Sequence, residues 1–180
     1  YIIKTVDRND DWQDNLTLWS ETVETSPWNS RAHDNLGFTY DQLGETEKAL
    51  MEFEKSVELM PDNYRALTNL GVAYAKVGKY NDSLDVLRKS IEIKEYHKTY
   101  DKLGLVYVEL KDDDKAIEAF EKAIQINKRY AKAHNDLATV YGRQGKFDLA
   151  LGEFKEAIRI DRDYADAHYN LGILLEFLDE

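Results

Sequence analysis

The stretch Asn69-Leu70-Gly71-Val72-Ala73-Tyr74 decides the fold, because its pattern returns along the whole chain. Its Asn-Leu-Gly core recurs as Asn35-Leu36-Gly37, Lys102-Leu103-Gly104, Asp136-Leu137-Ala138 and Asn170-Leu171-Gly172, at successive spacings of 34, 33, 34 and 34 residues. Tyr40, Tyr107 and Tyr141 stand where Tyr74 stands, and Leu175 takes that place in the last copy. A fixed period of this length marks tandem units, each a small supersecondary element. A second group recurs further along: Ala49, Phe53 and Ser56; Ser83, Leu87 and Ser90; Ala116, Phe120 and Ala123; Ala150, Phe154 and Ala157. Gaps of four and three residues put each group on one face of a helix. Each unit therefore reads as two helices.

Between the helices a turn is marked by Gly44, Gly78 and Gly145, where a helix end commonly needs a residue with positive φ. Lys111 stands at the third such place, and a side chain forced into that conformation costs about 1 kcal/mol. Lys111 to Asp114 is therefore expected to be the least regular turn. Pro27 and Pro61 fall where one unit has ended and the next begins, since proline cannot continue a helix.

These residues resemble the tetratricopeptide repeat, whose signature includes the Leu-Gly pair, the Tyr, the small-aromatic-small triplet and the closing Pro. The resemblance covers Ser30 to Glu180. It implies an all-α fold, a right-handed superhelix of antiparallel helix pairs, with repeats at 30–63, 64–96, 97–130 and 131–164. Residues 165–180 would be the first helix of a fifth repeat or a C-terminal cap, and 1–29 an N-terminal segment with a capping helix from Asp11 to Ser26. Departures at Ser83, Leu87 and Ser90, the missing Pro near Glu95 and the 33-residue spacing bear on how the second and third units meet. Physically, no helix of about 14 residues, roughly 21 Å long, can bury its apolar stripe alone, so neighbours must stack.

The chain's 35 acidic against 24 basic residues give a net charge of −11. A nucleic-acid partner is excluded on that balance, because binding a phosphate backbone needs a surplus of Lys and Arg. With 43% hydrophobic residues the chain can build a core and is not an acidic disordered tail. No cysteine is present, which removes disulfides, thiol nucleophiles and Cys-based zinc sites. Nothing reaches the 18 consecutive apolar residues of a membrane span.

Function is expected on the concave wall lined by the first helices. The groove candidates are Arg31, Asn35, Phe38, Arg65, Asn69, Lys98, Lys102, Lys132, Asn135, Arg143 and Asn170, mixed in charge with some apolar floor, which suits an extended peptide. Asn35, Asn69 and Asn170 share one repeat position, and an amide there can both accept from and donate to a peptide backbone. They resemble the asparagine ladder in the repeat domain of the glycosyltransferase that adds N-acetylglucosamine to nucleocytoplasmic proteins, interrupted here by Lys102 and Asp136. The alternative is that Asn merely accompanies Leu-Gly. Arg31, Arg65, Lys98 and Lys132 share a position near the helix N-termini, where a cation opposes the helix dipole, hinting at an acidic ligand. Asn69, Lys98 and Lys102 partly match the family's carboxylate clamp, while Asp34 and Phe38 stand where its Lys and Asn are expected. Solvated charge is the competing reading.

The remaining features divide between packing and assembly. His33, His134 and His168 occupy equivalent places one unit or more apart, too far apart in sequence for a local metal motif, and are read as packing residues. No phosphate loop, dinucleotide turn or nucleophile elbow is present, so the chain is expected to be non-catalytic, with no cofactor, no metal and no small-molecule substrate. Asn15-Leu16-Thr17 and Asn81-Asp82-Ser83 match the short glycan-acceptor pattern. Leu171, Leu174, Leu175 and Leu178 form a stripe with no second helix to cover it, so either the protein continues or this face meets another copy as a homo-oligomer. Trp12, Trp19 and Trp28 gather near the N-terminus. Arg8 to Trp12 with Leu18-Trp19 and Ser26-Pro27 resembles the junction at which repeat domains follow the last membrane helix of glycosyltransferase-like proteins. That resemblance implies a membrane-anchored parent, this module lying on its extracytoplasmic side, and Tyr1-Ile2-Ile3 as the remnant leading out of the bilayer.

Overall fold

A computed structural model describes the backbone of residues 2–179 and the side chains of residues 13–178. The expectations for Tyr1-Ile2-Ile3 and Trp12 lie outside the described side chains. Among the described residues the fold is all-α: α1 (Ile2–Thr25), α2 (Ser30–Gln42), α3 (Thr46–Leu59), α4 (Tyr64–Lys76), α5 (Tyr80–Ile93), α6 (His97–Glu109), α7 (Asp113–Ile126), α8 (Ala131–Arg143), α9 (Phe147–Ile160) and α10 (Ala165–Asp179). The chain forms two compact units, Tyr1–Lys94 and Glu95–Glu180. Within each unit a first helix pairs with the second helix that follows it and then packs on the next pair in series. In the first unit α2 also touches α4, and in the second α8 touches α10. First helices therefore line the inner face of each unit.

The glycines explain why the pairs pack so closely. A Cβ on Gly37 would lie 2.8 Å from the Phe53 ring, one on Gly71 2.6 Å from Leu87, and one on Gly104 2.6 Å from Phe120. The large side chain occupies the space that the missing methyl leaves. Ser83 and Ser90, which depart from the family's usual small apolar residues, are fully buried. Their hydroxyls donate to the Gly71 carbonyl at 2.6 Å and the Tyr64 carbonyl at 2.7 Å, so no buried donor is left without a partner.

Lys111 adopts a left-handed φ of 59°, beside 79°, 76° and 74° for Gly44, Gly78 and Gly145. Its turn is not the least regular one. The N–H groups of Glu45, Lys79, Asp112 and Lys146 donate to the carbonyls of Tyr40, Tyr74, Tyr107 and Tyr141, each at 2.9 Å. Identical hydrogen bonding at all four turns holds Lys111 in a conformation its side chain disfavours.

Helix starts differ along the chain. Asn29 and Asn63 cap α2 and α4, accepting from Ala32 at 3.2 Å and from Arg65 and Ala66 at 3.1 and 3.4 Å. At the matching place before α6 and α8 stand Tyr96 and Tyr130, which make no side-chain cap. Their rings instead flank His97, with centroids 4.7 and 4.8 Å away. α1 packs on α2 as a second helix would; Trp19 is half-buried, whereas Trp28, in the turn that follows, is 73% exposed. No helix among the described residues is long and apolar enough to cross a membrane.

Candidate functional site

In the first unit the inner wall is cross-linked by its own polar groups. Asn69 donates to Asp34 at 3.0 Å, and Lys76 donates to Asp41 at 2.5 Å. Burial lifts the Asp34 carboxyl above its ordinary 3.8, although the Asn69 hydrogen bond and the Arg65 charge oppose the shift. Arg31 and Arg65 are exposed, and Arg65 lies over the Tyr64 ring, 5.7 Å from its centroid. Asn35 is half-buried, and Phe38, 46% exposed, is the large apolar side chain this wall presents.

In the second unit a charged cluster forms around Asp101, which is fully buried. Lys132 reaches its two carboxylate oxygens at 3.2 and 3.3 Å, and Asp136 at 2.5 Å. Lys102 approaches Asp101 at 3.4 Å, and the Tyr130 hydroxyl donates to it at the same distance. Burial disfavours the Lys132 ammonium, but the two carboxylates outweigh it and its pKa is raised. Burial and the Asp101 charge together lift Asp136 against the pull of Lys132. Lys132, expected as a ligand-facing cation, is thus committed to internal pairing. Asn135, also expected in the groove, is buried, accepting from Asn170 at 3.0 Å and donating to Asp136 at 3.1 Å. Arg143 is exposed and holds Asp113 with two of its nitrogens, Nε at 3.0 Å. Lys98 is exposed as well.

The asparagine positions are therefore partly engaged by the chain itself. Asn69 and Asn170 each give one amide N–H to a neighbouring repeat, which leaves a second N–H and the amide oxygen of each for another group. Of the residues that resemble a carboxylate clamp, Asn69 lies in the first unit and Lys98 and Lys102 in the second.

Sequence reasoning missed a recess on the inner side of α8, α9 and α10. It has a volume of about 460 Å³ and is lined by Ala138, Thr139, Gly142, Arg143, Gly145, Phe147, Phe154, Asn170, Ile173, Leu174 and Phe177. Ile173 is 49% and Phe177 59% exposed, and the Phe177 ring lies 5.3 Å from that of Phe147. Two sequence signals point to it. Phe177 replaces the polar Gln42, Lys76, Glu109 and Arg143 of the other units, and Gly142 leaves open the space that a side chain would fill.

The leucine stripe of α10 is divided rather than wholly uncovered. Leu174 is buried and lines that recess, and Leu171 is half-buried, so only Leu175 and Leu178, each 44% exposed, remain open. The histidines act as staples. His33 pairs its Nδ1 with Glu52 at 2.7 Å and its Nε2 with the Pro27 carbonyl at 3.0 Å. His134 does the same with Glu153 at 2.6 Å and the Lys128 carbonyl at 3.3 Å. Burial disfavours the charged His134 ring, but Glu153 and the carbonyl outweigh it and raise its pKa above 6.5. His168 shares only the carbonyl half of the staple, to Arg162 at 2.9 Å, and is exposed. Among the described residues no group of His, Asp and Glu is placed to hold a metal ion.

Sequence comparison with curated proteins gives no match. Among solved structures, the crystal structure of MamA is 29% identical with a TM-score of 0.74, covering 88% of this chain and 94% of that one. TTC0263, a thermophilic repeat protein of Thermus thermophilus, is 22% identical with a TM-score of 0.82, covering 95% and 94%. YrrB, described as a repeat protein with an unusual peptide-binding site, is 23% identical with a TM-score of 0.66, covering 89% and 84%. The last two likenesses are likenesses of fold. Models of the tetratricopeptide repeat match residues 30–63, 63–129 and 96–163, most of the chain. With the recurrent Leu-Gly, the ring seated over the glycine and the paired helices in series, they place the chain in the tetratricopeptide repeat family.

Proposed function

We propose that this chain is a non-catalytic interaction module that binds a segment of another protein on the inner wall of its first helices. The recess between α8 and α10 carries this reading. Exposed Ile173 and Phe177 stand beside the polar Asn170 and Thr139, the combination of apolar anchor and amide that extended peptides engage. Its volume of about 460 Å³ admits at least one large apolar side chain. Arg31, Phe38, Arg65, Asn35 and Asn69 form the corresponding wall of the first unit, and Lys98 and Lys102 the edge of the second. The peptide-binding site named for YrrB agrees with this use of the fold. The test is selection from a random peptide library, followed by titration against the double variant Ile173→Ser, Phe177→Ser. Selected peptides should carry an apolar side chain and lose at least about tenfold in affinity, roughly 1.4 kcal/mol, with an unchanged melting curve. Undiminished binding to the folded double variant would falsify the assignment.

A second reading is self-association through α10, favoured by the exposure of Leu175 and Leu178. The N-terminal resemblance also supports a larger, membrane-anchored parent bearing this module on its extracytoplasmic side; the gene sequence ahead of Tyr1 tests that.

A further inference from the structure

Three side-chain pairs in this chain occupy equivalent places on successive first helices, each pair 35 residues apart: Asp34 with Asn69, Asp101 with Asp136, and Asn135 with Asn170. In the first and last an amide donates, Asn69 to Asp34 and Asn170 to Asn135, each at 3.0 Å. The middle pair sets two carboxylates against each other, and a carboxylate can only accept. Lys132 supplies the donor from between them, reaching Asp101 at 3.2 and 3.3 Å and Asp136 at 2.5 Å.

Asp136 thereby takes on a second task. With its Oδ2 held by Lys132, its Oδ1 accepts the Asn135 amide N–H at 3.1 Å. That bond orients Asn135, because an amide whose NH2 end faces a carboxylate turns its oxygen the other way. Asn170 must then present an N–H to that oxygen, and its own amide is fixed in turn. In the first unit one step suffices, since the Asp34 carboxylate accepts from Asn69 directly. In the second the carboxylate stands one residue along the chain and acts through Asn135. Asn170 lines the recess with Thr139 and Arg143 as its polar neighbours. The Thr139 hydroxyl donates to the Asn135 carbonyl at 3.0 Å, and Arg143 holds Asp113. Asn170 keeps an amide oxygen and a second N–H on one planar group, the complement of a peptide unit's N–H and C=O.

We infer that Asp136, held by Lys132, is a positioning residue of the recess: through Asn135 it sets the orientation of the Asn170 amide, so that the recess selects a peptide N–H beside an apolar side chain. The inference rests on the peptide-binding reading of the recess. Asp136→Asn should reverse the relay. The Lys132 ammonium takes the oxygen of the substituted amide, whose NH2 end then faces Asn135. Asn135 answers with its oxygen and turns its NH2 to Asn170, which accepts. The oxygen that served a ligand N–H is then spent inside the protein.

Titration of the full chain with two probes of one shape, followed by NMR, tests this. N-acetyl-phenylalanine methylamide carries a ring flanked by peptide units; the methyl ester of O-acetyl-phenyllactic acid keeps the ring and the carbonyls but has no N–H. The unmodified chain should prefer the amide probe, and the ratio of the two affinities should fall at least about threefold in Asp136→Asn. The charge-conserving exchange of Asn135→Asp with Asp136→Asn gives this unit the Asp34-Asn35 order of the first. It should restore the ratio, because a carboxylate again accepts from Asn170 directly. Melting curves are the folding control, and Asn135→Ala, which cuts the relay and leaves both carboxylates in place, should lower the ratio even if Asp136→Asn unfolds. A purely structural role for Asp136 would weaken both probes alike. An unmodified chain without preference, a ratio that does not fall, or one that the exchange fails to restore overturns the relay and leaves the recess standing. Undiminished binding of both probes to the Ile173→Ser, Phe177→Ser chain, or no binding of either to the unmodified chain at millimolar concentration, sinks the recess reading and the inference with it.

Discussion

The inner wall of α2 and α4 and that of α8 and α10 are made from the same repeat, yet one is closed by polar bridges and the other opens into an apolar recess. Asp34 with Asn69 and Asp41 with Lys76 tie the first wall across its two helices. In the second, Asn135 and Asn170 make a matching tie, but one turn further along Ile173, Gly142 and Phe177 leave a cavity over Phe147 and Phe154. The hairpin scaffold is held constant while a few positions on its first helix decide whether the wall repels or admits an apolar group. Whether an inner wall opens into an apolar recess is therefore set by individual side chains and not by the number of repeats.

The strongest way to break the comparison is to show that the two scaffolds differ beneath their walls. Phe53 and Phe120 occupy the same place over a glycine, 3% and 0% exposed. Truncating either to Ala should cost about 3 to 5 kcal/mol through the cavity left behind, measured by denaturant unfolding. Costs differing by more than about 2 kcal/mol would mean that the shared scaffold is an illusion of sequence.

Next in size is the contrast between the ion pairs. Lys132→Ala removes the cation between buried Asp101 and Asp136 and leaves Asp101 with Lys102 and the Tyr130 hydroxyl as hydrogen-bonding or ion-pair partners, and should cost about 3 kcal/mol, the lower end for an orphaned buried charge. Lys76→Ala removes a partner that is 45% exposed at its side chain, and should cost no more than about 1 kcal/mol. Equal losses in chemical unfolding would show that the Asp101 cluster is as well hydrated as the surface bridge.

The smallest effect concerns Asp34. Its folded pKa is raised by burial, so the folded state holds its proton to higher pH than the unfolded chain does. Stability from this group is present at low pH and declines as pH rises through that interval, levelling off above the folded pKa. Asp34→Asn keeps an oxygen for the Asn69 N–H and removes the titration. The variant should therefore gain stability relative to the unmodified chain as pH rises from about 4, by less than about 1 kcal/mol at neutral pH. A pH-independent difference between the two would contradict the shift.

Much of this was legible in the sequence, and the reason is periodicity. Phe120 over Gly104 and the positive φ at Lys111 both follow from register, because a residue inherits its backbone role from its place in the repeat. The pairing of Lys132 was not legible because its position says only that it points inward; which neighbour it meets depends on Asp101, 31 residues earlier, and on a rotamer choice no pattern encodes. The recess escaped for a related reason. A void is a property of what several side chains leave unfilled, and Gly142 and Ala138 announce it only after Ile173 and Phe177 are seen beside them. The asparagines fell between these cases, since their position was readable but their internal hydrogen bonds were not.

The left-handed Lys111 has a further consequence on the unfolded side of the equilibrium. Glycine at a turn surrenders the most backbone freedom when the chain orders, and a residue with a side chain surrenders less. The α6–α7 hairpin therefore trades native strain of about 1 kcal/mol against a smaller entropic penalty of closure. That hairpin can be as ready to nucleate as the three whose corners are built from glycine.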